Sequence, residues 1–367
     1  MREARGVVVT GLGAPARIEP ITVEDPGPGE VLVRVVANGI CHSDLWSIQH
    51  GNWGSPFPML LGHEGAGIVE MVGEGVTHVG AGDPVLLAWA VPCGTCAACR
   101  RGRPRRCSHW WDQPAKLHAQ DGSRLIGTLS IGSLATHTVV HAAQVFAVPD
   151  GLDLRSACLL GCGASTGIGA AVNTAPVLPG DSVAVIGLGG IGLSALLGAK
   201  LAGASRIIAI DRIAAKLDIA RDLGATDVID AGVDDAVTAV RSLTDAGVDV
   251  AFEATGQALV VSQAVAMLAR AGTAVAIGVP APDSTVTLDW GEATSGGAYP
   301  AKVTLKVTDG GDPLAEDFTA WLTAAADGDL DLAQLVTTVA PFTDDALAEA
   351  FRAMLAGEVV RTVIEFD

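Results

Sequence analysis

The 367-residue chain reads as an α/β protein with a doubly wound parallel sheet and a separate β-rich part. Three observations predict this. Residues 1 to about 150 carry short apolar β-runs broken by turns. From about 181, strand patterns alternate with helical ones, the signature of a parallel sheet with crossover helices. After about 310, two helical stretches are followed by one closing strand.

The elements follow in order. EVLVRVVANG (30–39) and GAGIVEMVGEGV (65–76) are apolar runs that end in turn-forming residues, and proline and glycine mark turns at 26–29 and 54–58. SVAVIGLGG is a buried-strand pattern that opens a helix running to about 202. RIIAID predicts a strand and AAKLDIARDLGA a helix. DVID, VDVAFEATG and TAVAIGVP predict further strands, with ALVVSQAVAMLARAG helical between the last two. DPLAEDFTAWLTAAADG and TDDALAEAFRAMLAGE are helical, and VRTVIEF closes the chain as a strand. No internal repeat or low-complexity tail is visible.

Composition narrows the function. Hydrophobic residues at 49% and charged residues at 17% argue against disorder. A net charge of -18 removes any general attraction to nucleic acid or to an anionic membrane. The locally basic run Arg100 to Arg106 reads as a solvated surface loop. Residues 182–199 carry no charge, but their five glycines suit a strand, turn and helix better than a membrane span. No signal peptide is visible, so a cytoplasmic protein is expected, and there clustered cysteines bind metal or do redox work rather than form disulfides.

Cys93, Cys96, Cys99 and Cys107 have the spacing C-x2-C-x2-C-x7-C. Nested disulfides at such steps would be strained, and a thioredoxin-type pair needs two cysteines at a helix start. Four thiolates around one structural Zn²⁺ fit better; such a closed site fastens a lobe and does no chemistry. Cys41, His63 and Cys162, with Glu64, form a second candidate set. Two cysteines and a histidine leave zinc's fourth position open, the catalytic pattern. Singly, Cys158 or Cys162 reads as core and His63 as a structural histidine.

Gly187-x-Gly189-x-x-Gly192 follows a strand and opens a helix. Its glycines, with Gly190 among them, permit a tight turn and a close backbone approach to a pyrophosphate. Asp211 ends the next strand nineteen residues after Gly192. It is placed to bond the adenosine ribose and repel a 2′-phosphate, which favours NAD; Arg212 beside it leaves NADP open.

Together these motifs resemble the zinc-dependent alcohol dehydrogenases of the medium-chain dehydrogenase/reductase superfamily. The likeness runs through GICHSDLW, GHEGAGIVE, the cysteine cluster, GCGASTGIGA, GLGGIG with IAIDR, GVP at 278–280 and GEVVRTVIEF. It implies a GroES-like β-barrel catalytic domain at 1–163 with its zinc lobe at 93–107. A Rossmann domain at 164–309 and a return to the catalytic domain at 310–367 follow, with substrate in the cleft between the domains. It further implies two zinc ions per chain, Cys41, His63 and Cys162 holding the catalytic one. Glu64 stands behind that metal and Asp44 orients His63. Ser43 passes the alcohol proton outward, although by itself it also reads as a helix N-cap. His42, Lys216, Val279 and Arg361 fall at cofactor-contacting positions, Arg361 on the pyrophosphate. Trp46 replaces the histidine that ends the proton relay in many members, and LKVTDGG replaces a glycine-rich turn near 307. Trp89, with Trp46 and Trp53, is assigned to the substrate pocket, which favours bulky or aromatic alcohols and aldehydes.

The resemblance implies a homodimer or homotetramer that transfers hydride between a small-molecule alcohol or aldehyde and NAD(H). Alternatives are a formaldehyde dehydrogenase acting on a thiol adduct, an NADPH-dependent biosynthetic carbonyl or imine reductase of the same family, and a non-enzymatic zinc protein.

Overall fold

A computed structural model describes residues 1–51, 57–109, 111–112, 114–288 and 302–366. Two compact units emerge: Met1–Gly163 with Pro313–Asp367, and Ala164–Asp312.

The first unit is built on antiparallel β-structure. Its strands are β1 (Arg2–Val9), β2 (Arg17–Val23), β3 (Glu30–Gly39), β4 (Met59–Leu60), β5 (Gly65–Val72), β6 (Pro84–Leu87), β7 (Leu117–Ala119), β8 (Ile126–Gly127), β9 (His137–His141) and β10 (Val145–Ala147). One sheet has the order β7-β2-β1-β4-β8. β3 is the spine of the other: it pairs with β5, with β9 and with a strand from the chain's end. Its alternating and β-branched residues explain this, because Val31, Val33, Val35 and Ala37 are all buried.

The second unit holds a six-stranded parallel sheet of β11 (Ser182–Ile186), β12 (Arg206–Asp211), β13 (Asp227–Asp230), β14 (Val248–Glu253), β15 (Leu268–Ala276) and β16 (Thr304–Val307). The order is β13-β12-β11-β14-β15-β16. Connections run outward from β11 on one side and from β14 on the other, so the sheet reverses at β11/β14, the place where such sheets bind ligands. The segments Gly190–Leu201, Ala214–Leu223, Ala236–Leu243 and Ala258–Ala266 are its helices.

The tail returns to the first unit. β17 (Val336–Pro341) pairs in parallel with β18 (Arg361–Glu365), and β18 pairs antiparallel with β3. Two expectations are corrected. The helix expected over ALVVSQAVAMLARAG stops at Ala266, and Leu268–Ala271 already belongs to β15. Hydrogen bonding along β14 overrides the local helix preference there. β17 was not anticipated, because its residues alternate between half-buried and exposed with no apolar run.

Candidate active site and metal centres

Cys41 follows the end of β3 and is the N-cap of the helix α1 (His42–His50), so Ser43, two residues later, is not the cap. Asp44 lies at the third helical position and is fully buried. One carboxylate oxygen accepts the Cys41 N–H at 3.3 Å. The other accepts the Gly62 N–H at 3.0 Å and lies 3.3 Å from His63 Nδ1. Asp44 thereby ties the helix start to the LGHE segment and fixes the imidazole, leaving Nε2 free to ligate.

The ligand atoms of Cys41, His63, Glu64 and Cys162 lie within 4.8 Å of one another, and all four residues are buried. His63 Nε2 is buried with no hydrogen-bond partner. A buried orphan nitrogen beside two sulfurs is costly unless a metal takes it, so the donor set fits zinc. Without metal, the cluster shares protons. The Cys162 thiol, hydrogen-bonded to Cys41, holds Cys41 well below the ordinary thiol range, and Cys162 is itself pushed well above it. Burial works against charge on His63, yet Asp44 and Cys41 outweigh it and lift the imidazole to about 10.

Glu64 is fully buried; one oxygen accepts the Gly163 N–H at 3.0 Å and the other pairs with the Arg361 guanidinium. The space is tight enough to require glycine: a Cβ on Gly39 would stand 2.1 Å from the Glu64 carboxylate. Sequence reasoning put Arg361 on a pyrophosphate; its terminal nitrogen rests on Glu64, while its buried Nε has no partner.

Cys93, Cys96, Cys99 and Cys107 also come together within 4.8 Å. The 3.8 Å between Cys96 and Cys107 and the 3.5 Å between Cys93 and Cys107 are close to the edge of a zinc–thiolate tetrahedron, about 3.8 Å for Zn–S bonds of about 2.3 Å. The Cys96 and Cys99 N–H groups point at the sulfurs of Cys93 and Cys96, at 3.3 and 3.5 Å. These donors favour thiolate, and the Thr95 hydroxyl leads the causes that bring Cys93 down to about 6. None of the seven cysteines, all among the described residues, forms a disulfide.

Trp89 is 6% exposed and packs in one core cluster with Cys41 and Cys162. Trp46 packs against His50, ring centroids 4.2 Å apart and planes tilted by 44°. Trp53 lies outside the described residues.

In the second unit Gly187 turns at φ +89, and Gly189 caps the helix Gly190–Leu201. A Cβ on Gly192 would sit 1.8 Å from the Gly187 carbonyl, so the loop closes only with glycine there. Asp211 is brought to this loop: one carboxylate oxygen accepts the Leu188 N–H at 2.7 Å, and the other accepts the N–H groups of Arg212 and Ile213 at 2.7 and 3.0 Å. A carboxylate keeps further lone pairs for a ribose hydroxyl. Arg212 is exposed, Lys216 half-buried and Val279 exposed.

Sequence reasoning missed Glu253. It ends β14 at the sheet's reversal point and is fully buried. One oxygen collects the N–H groups of Thr255 (2.6 Å) and Gly256 (2.9 Å) and the Thr255 hydroxyl. Thr255 in turn presses on the glycine loop, where a Cβ on Gly187 would meet its methyl at 2.6 Å. An acidic residue closing an otherwise apolar strand in VDVAFEATG was the available signal.

Comparison with known proteins agrees with this fold. Residues 27–150 match the alcohol dehydrogenase GroES-like domain and residues 190–308 the zinc-binding dehydrogenase family. S-(hydroxymethyl)glutathione dehydrogenase of Escherichia coli is 35% identical, covering 99% of this chain and all of that protein. Benzyl alcohol dehydrogenase of Acinetobacter calcoaceticus is similar in structure, with a TM-score of 0.89 and 31% identity over the full length of both chains. A Burkholderia ambifaria alcohol dehydrogenase zinc-binding domain protein superposes with a TM-score of 0.91 at 32% identity, covering 100% of this chain and 99% of that one. These bear out the GroES-like plus Rossmann fold. Among the described residues no helix is long and apolar enough to cross a membrane.

Proposed function

Since the chain belongs to the zinc-dependent alcohol dehydrogenases of the medium-chain dehydrogenase/reductase superfamily, we propose that it interconverts bulky or aromatic alcohols and their aldehydes with NAD(H). The single observation that carries this is the buried Cys41–His63–Cys162 donor set with Asp44 locked onto the imidazole. Zinc bound there supplies Lewis acidity to a substrate oxygen. Asp44 holds His63 in its ligating orientation, and Glu64, which pairs with Arg361, would stand behind a metal held there. Ser43, in the first turn of α1, carries a hydroxyl able to hand a proton outward. Trp89 forms an apolar wall beside the ligands, which favours a flat substrate. Gly187, Gly189, Gly190 and Gly192 cradle the coenzyme pyrophosphate at a helix start. Asp211 selects NAD, with His42, Arg212, Lys216, Val279 and the partnerless Nε of Arg361 as further coenzyme contacts. The four-cysteine lobe holds the second zinc. The enzyme is placed in the cytoplasm as a homodimer or homotetramer.

A second reading, oxidation of a hydroxymethyl thiol adduct, is favoured by the activity named for the 35%-identical relative. One panel separates the two: kcat/KM for benzyl alcohol, a long-chain alcohol, ethanol, and formaldehyde with and without glutathione, each with NAD⁺ and NADP⁺. Benzyl alcohol should exceed ethanol by at least about tenfold, and Trp89→Ala should erase that preference, since a buried aromatic wall contributes on the order of 1.5 kcal/mol or more. Ethanol as the best substrate, or an unchanged ranking in Trp89→Ala, overturns the pocket assignment. Turnover of formaldehyde only with thiol selects the second reading.

A further inference from the structure

The loop between Cys99 and Cys107 carries none of the residues assigned above to hydride transfer, yet it concentrates five arginines in seven residues of a chain whose net charge is -18. No acidic residue occurs between Asp83 and Asp112. Its sequence reads as a solvated surface, but the structure shapes it into a concavity. Gly102 turns at φ +71 and Pro104–Arg106 makes one 3-10 turn. Gly102, Arg103, Pro104, Arg105 and Arg106, together with Leu314, line a cavity of about 600 Å³. That volume falls within the range of small-molecule sites, about 300–1,000 Å³.

The three guanidiniums are not equivalent. Arg105 is held by Asp317 through contacts of 2.7 and 3.4 Å, and the same carboxylate accepts the Leu314 N–H at 2.8 Å. Asp317 therefore neutralises Arg105 and fixes one wall. Arg103 and Arg106 are exposed and enter no ion pair among the described residues. Cys99 and Cys107, at the two ends of the loop, belong to the four-cysteine cluster, so the loop is anchored on both sides. Binding to an anchored loop carries a smaller ordering cost. A guanidinium fork matches a phosphate or carboxylate with two parallel hydrogen bonds.

We propose that this cavity binds a small multivalent anion, a phosphorylated or polycarboxylated molecule, through Arg103 and Arg106. The competing account is that the arginines merely balance the four thiolates. The two differ in what removal of the charges does.

The test uses the full chain with its zinc, saturated with NADH so that the coenzyme's own phosphate site is filled. It is titrated calorimetrically with inorganic pyrophosphate and, separately, with citrate. Saturable binding at one site per chain is expected for at least one probe, weakening steeply with salt. Arg103→Gln/Arg106→Gln should weaken it at least about tenfold while zinc content and turnover stay unchanged. Arg100→Gln/Arg101→Gln, outside the cavity lining, should leave it intact, and the single Arg103→Gln serves should the double variant fold poorly. Absence of binding, or binding that Arg103→Gln and the double variant leave unaltered, overturns the site. Zinc loss from the double variant with anion affinity retained assigns the arginines to the thiolates instead.

Discussion

Glu253 shows how one side chain shapes a binding loop from below. One of its two carboxylate oxygens gathers three donors beside the glycine loop. Each buried donor without a partner costs about 1–3 kcal/mol. Glu253→Ala should therefore raise the NADH dissociation constant at least about tenfold in a fluorescence titration, and Glu253→Gln, which keeps the acceptor, should recover most of it. An NADH affinity in Glu253→Ala equal to wild type would remove Glu253 from the coenzyme site. His63 makes a second residue-scale argument. Its imidazole is raised to about 10 in the metal-free cluster, so it is protonated at neutral pH and zinc must displace that proton. Zinc affinity of the apo-protein should then rise with pH between 6 and 9, by about tenfold per unit for each proton displaced. A pH-independent zinc affinity, measured by chelator competition, would contradict this proton inventory.

At the scale of elements, the two metal sets are built differently, and so should fail differently. The four-cysteine set sits in one fifteen-residue loop with a four-residue helical turn and a 3-10 turn as its only regular structure. Cys41 caps α1 just after β3, His63 lies between β4 and β5, and Cys162 directly precedes Gly163, and all three are buried in the packed unit. Cys96→Ser should lower the melting temperature by several degrees and cost zinc, because there the metal substitutes for a core. Cys41→Ser should abolish turnover with a much smaller thermal shift. Equal shifts in the two variants would refute the division of labour. This contrast also explains what the sequence made legible. The cysteine cluster is local, so its spacing alone suggested a metal. The second set is scattered over more than a hundred residues, and only its resemblance to a family joined Cys41 to Cys162. Glu253's contacts and the pairing of Glu64 with Arg361 escaped because packing sets them: motifs mark Glu64 and Arg361 separately, but not to each other. β17 and the start of β15 escaped for the related reason that pairing, not periodicity, makes them strands.

Across the whole molecule, the parallel sheet presents two edges, and they are not defended alike. β13, at one end, spends two of its four residues on Asp227 and Asp230. Charges on an edge strand discourage pairing with another chain. β16, at the other end, exposes Leu305 at 39% and Val307 at 79%, and among the described residues it pairs with β15 alone. An edge strand with exposed apolar side chains is a template for a second strand. Pairing of two copies through β16 would cover these side chains, and an isologous contact of this kind closes at two subunits. The expected outcome is a wild-type mass of at least two chains by light scattering. Val307→Asp should shift it toward the monomer, while a charge-preserving change on the other edge, Asp227→Glu, should leave it alone. The melting temperature of the wild type should rise with protein concentration, and that of Val307→Asp should depend on concentration less. A monomeric wild type, or an assembly that Val307→Asp leaves intact, would refute pairing of two copies through β16.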